Sequence, residues 1–111
     1  MIDQVRPGSL DAWIQAQSGT AVVLDVREPV ELTAASVQAE GFELVAIPMN
    51  QIPARLAELD PTRPVAVLCH HGARSQRVAM YLASKGFDQL ANIAGGIDAW
   101  TMERDPGVPR Y

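Results

Sequence analysis

Hydrophobic residues fall along this chain in two alternating rhythms. Ala21–Leu24, Leu44–Ile47 and Val65–Leu68 are short apolar runs, the last two delimited by Pro48 and Pro64. Runs of that length read as strands covered on both faces. Gln4–Arg6 and Leu90–Ile93 add a first and a last short strand. Between them the period lengthens. Leu10, Trp13 and Ile14 share one helical stripe, with Ser9 as N-cap, Gly19 as the stop and Trp13 expected in the core. Pro29–Leu32 suit a helical turn, and residues 33–42 read as its continuation and a turn at Gly41. Asn50 is placed to cap a helix in which Ile52, Leu56 and Leu59 align, with Pro53 tolerated in the first turn and Asp60-Pro61 ending it. From Ser75 to Ser84, Val78, Tyr81 and Leu82 form a stripe widened by Ala79 and Ala83, Arg77 and Ser84 face away, and Lys85-Gly86 stops the helix. A final helix covers Ile97 to Glu103, with Ile97 and Trp100 inward and a breaker-rich tail from Asp105 to Tyr111. Strands alternating with helices predict an α/β fold: a parallel sheet, helices on both faces, right-handed crossovers.

Length and composition narrow the class. The 111 residues suit one domain, residues 1–111 with 105–111 as its tail, burying roughly 65% of its unfolded surface. Nine basic against thirteen acidic residues give net charge −4, which argues against nucleic acid or an anionic membrane as partner. No apolar run approaches the ~18 residues of a membrane span, and Met1–Arg6 lacks the pattern of a signal peptide. The single cysteine, Cys69, excludes an internal disulfide and fits a reducing compartment. The expectation is a soluble cytoplasmic protein, a monomer on grounds of size.

Cys69 changes the picture. It stands where the Val65–Leu68 strand ends and a helix is about to begin, the edge at which parallel α/β folds bind ligands. A helix N-terminus carries roughly half a positive elementary charge, and a short loop can aim further N–H groups at the same point. Gly72 permits the turn and Arg74 adds a permanent cation. An isolated thiol ionises near pH 8.5 and is only a few per cent thiolate at neutral pH; electropositive sites lower that midpoint to roughly 3.5–7.5. A buried cysteine usually serves as a small hydrophobe, yet here His70-His71-Gly72-Ala73-Arg74-Ser75 follow, a run of small and polar loop residues. The segment therefore offers a nucleophile and a cradle for an anion. Adjacent histidines beside one cysteine lack zinc-ligand spacing, so no metal and no cofactor is expected. The imidazoles are assigned to the rim, where they touch substrate while the backbone amides do the cradling.

Asp25, Arg27 and Glu28 arrive at the carboxyl end of the Ala21–Leu24 strand. A carboxylate near a thiolate opposes its ionisation unless committed elsewhere. Asp25 is thus expected to accept backbone hydrogen bonds or pair with an arginine, a supporting role shared with Arg27 and Glu28.

Three motifs now line up. Cys69-His70-His71-Gly72-Ala73-Arg74-Ser75 resembles the active-site loop of a single-domain rhodanese; Asp25-Val26-Arg27-Glu28 resembles that family's Asp-x-Arg-Glu signature; Gly95-Gly96-Ile97-Asp98-Ala99-Trp100 resembles its Gly-Gly-x-x-x-Trp ending. The glycines of that ending fit a close backbone approach beside the active loop or an ordinary turn. The family usually carries Gly-His-Ile-x-Gly-Ala after the first signature, whereas residues 35–44 here read Ala-Ser-Val-Gln-Ala-Glu-Gly-Phe-Glu-Leu. The resemblance implies a three-layer fold with about five parallel strands. It also implies a sulfurtransferase: Cys69 takes a sulfane sulfur from a donor such as thiosulfate, holds it as a persulfide and passes it to cyanide, a cellular thiol or a protein acceptor. Arg74 then either attracts the anionic donor or anchors the loop, and Ser75 caps the helix or donates to sulfur. The rivals are a persulfide carrier or binding module serving a protein partner, and a phosphatase or arsenate reductase. The related phosphatase loops place five residues between Cys and Arg; here there are four, a tighter cradle.

Overall fold

The computed structural model describes residues 2–111. Five strands, β1 (Ile2–Val5), β2 (Val22–Asp25), β3 (Glu43–Ala46), β4 (Val65–Leu68) and β5 (Leu90–Ile93), form one parallel sheet in the order β1-β5-β4-β2-β3. Helices α1 (Leu10–Ala16), α2 (Pro29–Ala34), α3 (Ala73–Ser84) and α4 (Gly96–Glu103) connect or follow the strands. From β4 the chain steps to β5 on one side, whereas from β2 it steps to β3 on the other. The carboxyl ends of β4 and β2 therefore flank the point where the strand order reverses, the usual crevice for a ligand in an open parallel sheet.

The central strands are continuously apolar because both faces are covered. Val65 and Val67 of β4 pack with Val78, Ala79 and Leu82 of α3, while Ala66 and Leu68 pack on the opposite side with Leu10, Trp13, Ile97 and Trp100. Alternation of side chains across a strand produces that division. Each of the large aliphatic residues contributes about 1.5–3 kcal/mol by burial. Trp13 is buried and its indole N–H donates to Asp3 Oδ2 at 2.9 Å.

Three local expectations are corrected. β3 is not buried but an edge strand, paired only with β2 and half-exposed along its length. The helix expected from Asn50 to Leu59 does not form; single 3₁₀ turns occupy Met49–Gln51 and Leu56–Glu58 instead. Pro53 has no N–H to give the Met49 carbonyl, which takes the shorter-range bond from Ile52 N at 3.3 Å, and Ile52 and Leu59 still reach the core. Ser9 precedes α1 without a capping hydrogen bond from its side chain. In the atypical 35–44 segment the helix stops at Ala34, and Ala35, Val37 and Phe42 turn into the core, Phe42 edge-on to Trp100 at 6.1 Å. Among the described residues no helix is long and apolar enough to cross a membrane.

The backbones of α4 and of the end of β4 lie in close approach. Gly96 has φ +59°, and a Cβ there would lie 2.3 Å from the His70 carbonyl oxygen and 2.5 Å from that of Cys69. Backbone cannot yield to such an overlap. Gly96→Ala is expected to cost about 2–4 kcal/mol, measured as a lower urea midpoint with an unchanged slope; a variant within 0.5 kcal/mol of wild type, roughly the surface-substitution range, would contradict this packing.

Candidate active site

The reactive loop is held from behind by α4. The Ile97 N–H donates to the Cys69 carbonyl at 2.9 Å and the Asp98 N–H to the His70 carbonyl at 3.2 Å. These are first-turn amides that a helix leaves without internal partners. In a trans peptide the carbonyl and the next N–H point opposite ways. The amides of His70 and His71 are thus turned away from α4. Gly72, at φ +111°, then brings its own N–H onto Cys69 Sγ at 3.0 Å and initiates α3. Only a residue free of Cβ constraints takes that conformation readily. The helix begins at Ala73, two residues before the position read from the sequence.

Cys69 is 1% exposed, and apolar neighbours surround its base. Its sulfur nevertheless faces polar groups. Besides Gly72 N–H, Ser75 Oγ lies at 3.2 Å. The fully buried Ser75 hydroxyl also bonds Asn92 Oδ1, whose amide nitrogen donates to Gln4 Oε1 at 2.9 Å and to the Gly72 carbonyl at 3.2 Å. Asn92 thus ties β5 to the loop. The sequence contains its signal, a polar side chain inside an apolar strand, which once buried must find partners.

A second set of contacts fixes the flank. Asp25 and Arg27 are both buried, and Arg27 Nε and Nη2 reach the Asp25 carboxylate at 2.9 and 2.7 Å while Arg27 N–H adds a bond of 3.1 Å. Burial works against the Arg27 charge, but hydrogen bonds to Asp25 and Tyr111 overcome it and raise its pKa. Glu28 is exposed, and its N–H donates to Glu31 Oε1 at 3.0 Å at the start of α2. Arg74 does not project as a free cation. Its Nη1 and Nη2 engage Glu31 Oε1 and Oε2 at 2.6 and 2.8 Å, a two-point ion pair across from α2.

The tail joins the same network. Val108 is buried, Arg110 pairs with Asp98, and the Tyr111 hydroxyl donates to Glu31 Oε2 at 2.8 Å and accepts from Arg27 Nη1 at 3.1 Å. The Tyr111 ring stacks on His70 at 3.9 Å, and His70 stacks on His71 at 3.9 Å. Glu31 and Tyr111 were not among the residues picked out by motif, because nothing local in a helix turn or a breaker-rich tail reveals a partner 80 residues away. Among the described residues, no three His, Cys, Asp or Glu side chains gather to hold a metal. The arrangement offers one sulfur atom facing the Gly72 amide and the Ser75 hydroxyl at a helix start, a setting for transient charge on a sulfur or oxygen atom.

Known proteins resemble this chain in sequence and fold. Residues 7–103 match the Rhodanese-like domain family. A sulfurtransferase of Allochromatium vinosum is 31% identical over 110 residues, covering 97% of this chain and 96% of that protein. The Arabidopsis thaliana Rhodanese-like/PpiC domain-containing protein 12 is 40% identical over 95 residues; the match takes in 82% of this chain but only 30% of that longer protein. The crystal structure of a rhodanese-related protein from Thermoplasma volcanium superimposes with a TM-score of 0.77 at 29% identity, covering 98% of this chain and 99% of the other.

The Glu31 carboxylate carries a measurable signature. Hydrogen bonds from Arg74 chiefly, against an opposing effect of burial, lower its pKa from 4.5 to about 2. Its folded-state contribution is therefore complete above pH 4.5 and disappears as pH falls through about 2. That contribution is on the order of 3 kcal/mol at most. In wild type the urea unfolding free energy should decline across this window, and Glu31→Gln should be less stable above it while losing part of that slope; identical pH profiles would remove the ion pair's energetic role.

Proposed function

Since the chain belongs to the rhodanese family, we propose that it is a sulfurtransferase acting through a Cys69 persulfide, with thiosulfate as one donor and cyanide or a thiol as acceptor. The observation that carries this reading is the 3.0 Å approach of Gly72 N–H to Cys69 Sγ at the start of α3. The Cys69 thiolate attacks the outer sulfur of thiosulfate. A bond forms between Sγ and that sulfur, the bond to the sulfonate sulfur breaks, and sulfite leaves with the electron pair. Charge on the transferred sulfur is met by the Gly72 amide and the amides opening α3. In the second half-reaction the acceptor takes the outer sulfur and Cys69 leaves as thiolate. Two such steps through a covalent intermediate give ping-pong kinetics.

In this reading His70, His71, Gly72, Ala73, Arg74 and Ser75 make the substrate loop. Asp25 and Arg27 keep the neighbouring turn in place, and Glu28 supports it through the first turn of α2. The Asp25 carboxylate, occupied by Arg27, is withheld from the thiolate it would otherwise oppose.

Intact-mass measurement after incubation with thiosulfate tests the reading. Wild type should gain one sulfur atom and lose it on adding cyanide, with thiocyanate formed. Cys69→Ser should retain the fold by circular dichroism yet gain no sulfur and turn over no thiosulfate; sulfur transfer by that variant would refute the assignment.

A further inference from the structure

The family reading leaves the donor open, and the charges around the loop bear on it. Thiosulfate is a dianion. A site built for it would present a fixed cation to the incoming sulfonate. Here the loop's own arginine and the two that flank it are already matched among the described residues. Arg27 is buried against Asp25, Arg110 pairs with Asp98, and Arg74 holds both oxygens of Glu31. Arg77, one turn further along α3, is exposed and has no carboxylate partner among the described residues, but the groove it lines with Met49, Ile52 and Tyr81 includes none of residues 69–75. Glu28, three residues before Glu31, adds an exposed carboxylate. At the mouth the donor meets neutral amides and ion pairs, whose fields fall off faster than that of a lone charge.

The flank around Glu31 has a second property. Val30, in the same turn as Glu31, is 74% exposed, and Tyr111 is 40% exposed in its stack with His70. An apolar and aromatic border of this kind suits an organic group better than a hydrated sulfonate.

We infer that Glu31 is a specificity-determining residue: by occupying Arg74 it withholds the loop's cation, so that the site favours an organic hydropersulfide, R–S–SH, over the thiosulfate dianion. The inference rests on the sulfurtransferase reading. The step is balanced without another reactant. The Cys69 thiolate attacks the terminal sulfur, a bond forms between Sγ and that sulfur, and the R–S to S bond breaks. R–S⁻ departs with the electron pair, and the enzyme holds Cys69–S–SH.

Loading of Cys69 is followed by intact mass with thiosulfate and, separately, benzyl hydropersulfide, at one fixed pH. With wild type, the thiosulfate rate constant should change less than twofold across a roughly tenfold increase in ionic strength, as expected where the loop's own cation is neutralised by Glu31. Glu31→Gln keeps an oxygen for the Glu28 N–H and for one Arg74 bond, but releases the charge of Arg74. It should raise the ratio of the thiosulfate to the hydropersulfide rate constant about fivefold and make the thiosulfate rate salt-sensitive. A steep fall of the wild-type thiosulfate rate with salt overturns the inference without any variant. So does an equal loss with both donors in Glu31→Gln, which would make Glu31 only a brace for the loop. If wild-type Cys69 accepts sulfur from neither donor, the sulfurtransferase reading itself falls, and this inference with it.

Discussion

Two carbonyl groups decide the geometry of this site. Those of Cys69 and His70 are drawn backward onto the first amides of α4, and planar trans peptides then turn the following N–H groups the other way. The chain cannot relax this arrangement, because Gly96 leaves no space behind it. A helix start that would otherwise need water or capping side chains is satisfied by the loop, and the loop gains a rigid backing. The polarity around the sulfur is thus created by backbone orientation more than by charged side chains.

A web of ion pairs fixes the front of the loop. Glu31 joins α2 to Arg74, Tyr111 and the Glu28 amide, and Arg27 joins Asp25 to Tyr111. One helix turn, the loop and the tail are therefore linked through a few charged groups. Burying a pair such as Asp25–Arg27 yields little net stability, but breaking it by removing one partner is costly, on the order of 3–5 kcal/mol. Such contacts act mainly to specify one arrangement of the flank.

Much of this was legible in the sequence where the controlling physics is local. The β4 strand and α3 helix announce themselves because one is covered on both faces and the other buries a single stripe. Cys69 at their junction follows from the change of period alone. β3 misleads, since an edge strand and a central one of the same length share an apolar composition, and only pairing distinguishes them. The Met49–Glu58 segment has helix-forming residues and the right spacing, yet Pro53 and the demands of Ile52 and Leu59 on the core shorten its hydrogen bonds. Asn92, Glu31 and Tyr111 act through partners distant in sequence, and spacing rules carry no information about those.

Ser75 adds a limit of number. A hydroxyl owns a single hydrogen, and here it stands between Asn92 Oδ1 and Cys69 Sγ. The Asn92 amide is held in orientation by Gln4 and the Gly72 carbonyl, so it presents only an acceptor to the serine. The hydrogen serves the amide or the sulfur but never both at once. Every change in the electron demand of the sulfur must then be felt, through one rotating O–H, in the middle of β5.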